Sequence, residues 1–147
     1  MHSKTAPFAV VRAKEGDLVI HFADLSTPYP GINEALDILS HGSLVEDPEE
    51  FDMVESVRFV NGVPFRFFHD GRILGSKKRY TSDDATAVSA ETNFLGNPKE
   101  SILGDIAVFG MDEGGATRGL TRSEIEDLTY YVNQGQIVYR LSGKAKR

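Results

Sequence analysis

The sequence predicts an α+β fold, a mainly antiparallel sheet with two or three helices packed on it. Three observations predict it. Short apolar runs recur between turn signals, two stretches carry apolar residues at helical spacing, and Asn61-Gly62 sits between two of the runs. The order along the chain is strand, strand, helix, meander, helix, strand, helix, strand. Strands joined by short turns suit an antiparallel sheet with helices covering one face. The chain of 147 residues reads as a single domain, 1–147, with 139–147 a frayed basic tail.

"FAVVRA" and "LVIHFADL" read as two strands around a turn centred on Gly16. In "PYPGINEALDILSHG", Ile32, Ala35, Leu36 and Leu39 fall at i, i+3, i+4 and i+7, and Gly42 stands just past the end. That pattern predicts a helix over 31–40. An acidic connector leads to "MVESVRFV", where Val54 and Val60 alternate against Val57 and Phe59. Asn61-Gly62 then signals a type I′ hairpin, because both residues tolerate the positive φ that such a turn needs.

"VPFRFF" runs back antiparallel, with Phe65 and Phe67 on one face and Arg66 and Phe68 on the other. Pro64 has no N–H for a ladder, so its end belongs at an edge or a bulge. Asp70-Gly71 turns the chain into "RILG", a third strand of the meander. Ser82, Asp83 and Asp84 open a helix over 83–92. "GDIAVFG" is a buried strand, "MDEGGATRGL" a glycine-rich loop, and "LTRSEIEDLTYYV" a helix. Thr121 and Glu124 form its capping box, and Ile125, Leu128 and Val132 its apolar stripe. "GQIVYRL" is the last strand.

Composition excludes several classes. The chain is 40% hydrophobic, which suits a packed core rather than general disorder. It has no cysteine, so it has no disulfide framework, zinc knuckle or thiolate nucleophile. No apolar run is long enough for a bilayer, and the N-terminus lacks a secretion signal, so a cytoplasmic protein without membrane contact is expected. Of the net charge of −6, residues 1–60 carry 11 acidic and 4 basic side chains. That balance disfavours duplex DNA, which needs a positive field.

The candidate sites follow from charge and turn chemistry. Lys77, Lys78, Arg79 and Tyr80 form a basic loop beside an aromatic ring, with Arg66 and Arg72 nearby on the meander. Such a set offers phosphate charge and base stacking to single-stranded nucleic acid or a nucleotide. Glu49, Glu50 and Asp52, within "EDPEEFDMVE", form an acidic surface for a protein partner. Asp105, Asp112, Glu113, Glu124, Glu126 and Asp127 lie close enough in sequence to gather around the "GDIAVFG" strand and hold a divalent metal. Capping and a solvated helix face explain three of them as well. The loop 110–119 matches no phosphate-binding fingerprint, and its acids would repel an anion. The four histidines show no metal spacing. No cofactor and no resident metal are expected, and no catalytic residue can be named.

"INEALDIL", "VRFVNGVPFRFFHDGRILG", "DATAV", "LGNPKESILGDIAVFG" and "GLTRSEIEDL" together carry a resemblance. The chain resembles a family of small domains of unknown function encoded by phages, conjugative plasmids and their bacterial hosts. The similarity covers roughly residues 8–132. It departs from the family's pattern in the long acidic connector at 46–55 and in "SKKRYT", where members carry a proline-containing turn. The C-terminal strand is an addition to that pattern. The resemblance implies an accessory protein of a mobile genetic element.

The expectation is therefore a non-enzymatic binding protein that contacts a host or element-encoded protein. The alternatives are a nucleotide or single-stranded nucleic-acid binder and a small metal-dependent hydrolase. Edge strands near Pro64 or at the C-terminus leave a homodimer open.

Overall fold

The structure is a computed structural model that describes residues 5–12, 15, 17–42, 49, 51–60, 62–70, 87–89, 101–103 and 105–133. The chain opens with a hairpin of β1 (Thr5–Arg12) and β2 (Asp17–Asp24), paired in register from Thr5↔Asp24 to Arg12↔Asp17. At its turn the Arg12 guanidinium holds the Asp17 carboxylate with bonds of 2.8 and 2.6 Å. That pair keeps the Asp17 carboxyl below its ordinary range, chiefly through the hydrogen bond itself.

Helix α1 (Ile32–Ser40) follows. Gly31 precedes it at φ 85°, and a Cβ there would lie 2.8 Å from the Phe109 ring. Only glycine meets both conditions without strain. The helix turns Ala35 and Leu39 into the core, with Ile32 and Ile38 partly buried beside them. Leu36, expected on the buried stripe, is 41% exposed, and Ile38 takes its place. The helix is rotated slightly from the orientation its sequence spacing implied.

Strands β3 (Met53–Val60) and β4 (Val63–Asp70) form the expected hairpin, and Gly62 adopts φ 81° at its turn. Val60 stands opposite Val63, Phe59 opposite Pro64 and Val57 opposite Arg66. Two short strands, β5 (Ala87–Ser89) and β6 (Ser101–Leu103), make a separate antiparallel pair. Strand β7 (Ile106–Met111) and the short β8 (Thr117–Arg118) come next, and α2 (Arg122–Asn133) closes the described chain.

All pairings in the main sheet are antiparallel, in the order β2-β1-β7-β4-β3, with β8 paired to β7. The fold is α+β, with two helices among the described residues. Strand β7 lies at the centre. Beside it on one side run β1, from Val11↔Ile106 to Ala9↔Val108, and then β8, from Gly110↔Arg118. On the other side β4 pairs from Phe65↔Gly110 to Phe68↔Ala107.

Three expectations are corrected. Over Phe65–Phe68 the flank of β4 that a meander strand would take is held by β7, and "RILG" lies outside the described residues. The helix expected over 83–92 is replaced at its centre by β5, where Val88 pairs with Ile102. Threonine, serine and β-branched valine lower helix propensity there, so strand pairing decides the outcome. Third, the central strands β1, β7 and β4 are buried on both faces rather than covered on one.

One face holds Phe8, Val10, Phe68, Ala107 and Phe109 against α1. Phe109 stacks on Phe8 at 4.4 Å and meets Phe68 edge-on at 5.7 Å. The opposite face buries Ala9, Val11, Phe65, Phe67, Ile106 and Val108, each at most 2% exposed. A strand reading "IAVFG" has no polar position to offer solvent, so both sides must be covered. Helix α2 packs beside β2, with Leu128 and Val132 buried. No helix among the described residues is long and apolar enough to cross a membrane. The final strand "GQIVYRL" and the tail 139–147 lie outside the described residues.

Candidate interaction surface

Three of the four phenylalanines of the β3–β4 hairpin are buried, Phe65, Phe67 and Phe68 at 2% exposure or less. The fourth, Phe59, is 58% exposed. Register explains the split. Along the α1-side face of β3, Met53 packs against the core cluster, and then Glu55, Val57 and Phe59 run outward beyond it. Val57 is 44% exposed, and Val63, just across the turn, 38%. The hairpin tip is therefore apolar and exposed on both faces, Val57 and Phe59 on the α1 side and Val63 on the other. Strand β3 is the last in the sheet order, and among the described residues no strand pairs with its outer edge. Pro64 sits where β4 has run past its pairing with β7, as its missing N–H requires.

Arg66 underlies this tip. Its guanidinium pairs with Glu55 on β3 and donates to the Gly115 carbonyl in the turn between β7 and β8. Its side chain is 15% exposed, and Nε is buried without a hydrogen-bond partner. Arg66 thus serves the hairpin internally and adds nothing to an exposed basic patch.

Of the acidic candidates, Glu49 and Asp52 are exposed at the entry to β3, and Glu50 lies outside the described residues. Lys77, Lys78, Arg79, Tyr80 and Arg72 also lie outside them. The carboxylates of 105–127 do not gather. Asp105 and Asp112 flank β7 at opposite ends, about 23 Å apart at strand rise.

Asp112 Oδ1 accepts from the Gly114 and Ala116 amides at 2.9 Å each, so the amides that an anion would need are already taken. Glu124 is held by Arg118 at 2.8 and 2.7 Å. It also accepts from the Thr121 N–H at 2.9 Å, while the Thr121 hydroxyl accepts from the Glu124 N–H at 3.1 Å. The capping box is thereby closed from both sides. Arg118, followed by the neighbouring Thr121 amide, holds the Glu124 carboxyl below its ordinary range against the opposing effect of burial. Gly110 leaves room for this guanidinium, since a Cβ there would fall on it.

Glu126 faces Arg122 at 3.5 Å on the exposed side of α2. Three histidines are described, each in a different place. His21 lies against the Phe8 ring, His41 has Nδ1 2.8 Å from the Asp37 carbonyl, and His69 is buried with Nε2 3.5 Å from the Ser56 hydroxyl. Among the described residues no three histidine or carboxylate side chains gather as a metal site.

The exposed apolar tip formed by Val57, Phe59 and Val63 was not among the residues singled out from sequence. A signal for it existed. Asn61-Gly62 sets Phe59 opposite Pro64, and a proline that marks an edge marks its partner too. No protein-family model, no curated protein and no solved structure matches the chain.

Proposed function

We propose that the chain is a non-enzymatic binding protein that acts by protein–protein contact through the outer half of the β3–β4 hairpin. The observation that carries this reading is the joint exposure of Val57 and Phe59 on the terminal strand β3, with Val63 exposed across the turn on β4. Apolar side chains left bare beside an open strand edge are a template for a partner, and a protein without a partner there covers or charges them. The exposed Glu49 and Asp52 supply the polar rim that such contacts carry. The resemblance to small phage and plasmid domains supports a mobile-element accessory role, with a host or element-encoded protein of the cytoplasm as partner.

The test is site-specific photo-crosslinking in a bacterial host. A photoreactive residue at position 59 of the full chain should yield a discrete protein adduct. The same residue in place of Glu113, exposed in the turn after β7, should yield none. Equal adducts at both positions, or none at 59, would overturn the reading.

A further inference from the structure

We propose that the outer edge of β3 accepts an extended segment of the partner, alternating apolar residues and carrying lysine or arginine at the end beside Asp52. This rests on the contact surface proposed above and adds the chemistry of its occupant. The strand is antiparallel to β4 over all eight residues and ends the sheet order. A peptide laid along it would continue the ladder by main-chain hydrogen bonds, and alternate side chains would confer selectivity. Val57 and Phe59 stand two residues apart on one face, so they meet residues of the same alternation in the added strand.

Charge chooses the occupant. Residues 46–60 contain six acidic side chains and one basic one, and five of the six acids precede β3 in sequence. Glu55 is matched by Arg66, and Asp52 is exposed at that end. The apolar residues Val57, Phe59 and Val63 lie at the other. The edge is thus acidic at one end and apolar at the other, which a basic, alternating strand complements. A second copy fits less well. Self-pairing would bring together two chains of net −6, each with a single basic residue against the six acids of 46–60.

Fluorescence anisotropy with the full chain tests the proposal. Three labelled peptides share a Thr-Val-Thr-Val-Thr-Val body and carry a Lys-Lys, Ser-Ser or Glu-Glu pair at either terminus. The lysine peptides should bind at least tenfold tighter than the glutamate peptides at low salt, and the gap should narrow as salt rises. Phe59→Lys should weaken binding at least tenfold, with Phe59→Ser as a second variant should the first not fold. Asp52→Lys should compress or reverse the order.

Equal binding of all three peptides, lost in Phe59→Ser, would overturn the charge assignment and leave the contact surface standing. A concentration-dependent dimer, dissolved by Phe59→Ser, would replace the peptide with a second copy. Absence of peptide binding to the folded chain would overturn the edge-strand proposal. The crosslink at position 59 separately decides whether that surface makes any contact.

Discussion

Arg66 on β4 and Glu55 on β3 pair diagonally across the hairpin, since Arg66 stands opposite Val57 and Glu55 opposite Phe68. The guanidinium gains this carboxylate and the Gly115 carbonyl, yet its Nε stays buried without a partner. An ion pair of this kind offsets the desolvation of its cation only in part. Arg66→Met keeps the aliphatic stem and removes the buried charge. It should change stability by less than about 1 kcal/mol, or raise it. Glu55→Ala leaves the guanidinium without its carboxylate and should cost about 1–2 kcal/mol, the 41% exposure of Glu55 limiting the loss. Urea denaturation of the two variants checks this ranking, and the reverse order would refute it.

The two kinds of phenylalanine on the hairpin should respond differently to truncation. Phe68 is 2% exposed and packs on Phe109, so Phe68→Ala should cost about 3–5 kcal/mol through lost burial and a residual cavity. Phe59, 58% exposed, should tolerate Phe59→Ala within about 1 kcal/mol. Chemical denaturation midpoints of the two variants distinguish them. A large loss at Phe59 would mean that the tip is structural and not a free surface.

Gly31 and Phe109 are coupled by contact. Gly31→Ala introduces a β-carbon at φ 85° and 2.8 Å from the Phe109 ring, two penalties at one position. The loss should be about 2–4 kcal/mol. Phe109→Leu gives the new methyl room, so the double variant should be less destabilised than the sum of the singles by about 1 kcal/mol. A double-mutant cycle by thermal or urea unfolding measures the coupling, and strict additivity would place the cost in the backbone alone.

Much of the fold was legible where a few adjacent residues carry the physics. Asn61-Gly62 set the hairpin register down to Phe59↔Pro64. Thr121 and Glu124 announced the start of α2 by the hydrogen bonds they later make. The unbroken apolar run in β7 announced a strand without a wet face. Less was legible where distant segments decide. Nothing local says that β7 inserts between β1 and β4, displacing the expected meander strand. Pairing with β6 likewise overrides the weak helix signal around Val88. The surface was half legible. Acidic residues at the entry to β3 stand out in sequence, but the exposure of Val57 and Phe59 depends on where α1 stops covering the sheet.

The final prediction concerns Glu124, whose carboxyl titrates below its ordinary value because Arg118 and the Thr121 amide favour the ionised form. A carboxyl depressed on folding contributes stability in full above the unfolded value, near about 4.3. That contribution is lost as pH falls through the lower folded value. The parent should therefore lose stability steeply below about pH 4, while Glu124→Gln should show a flatter acid limb. At neutral pH the same substitution should cost about 1–3 kcal/mol, since an amide keeps one cap bond but not the two-pronged grip on Arg118. Asp17 and Asp24, also lowered on folding, are present in both proteins, so the difference between the two pH profiles isolates Glu124. Urea midpoints from about pH 2.5 to 7 would measure it. Parallel acid limbs would show that the Arg118–Glu124 pair forms no more strongly in the folded chain than in the unfolded one.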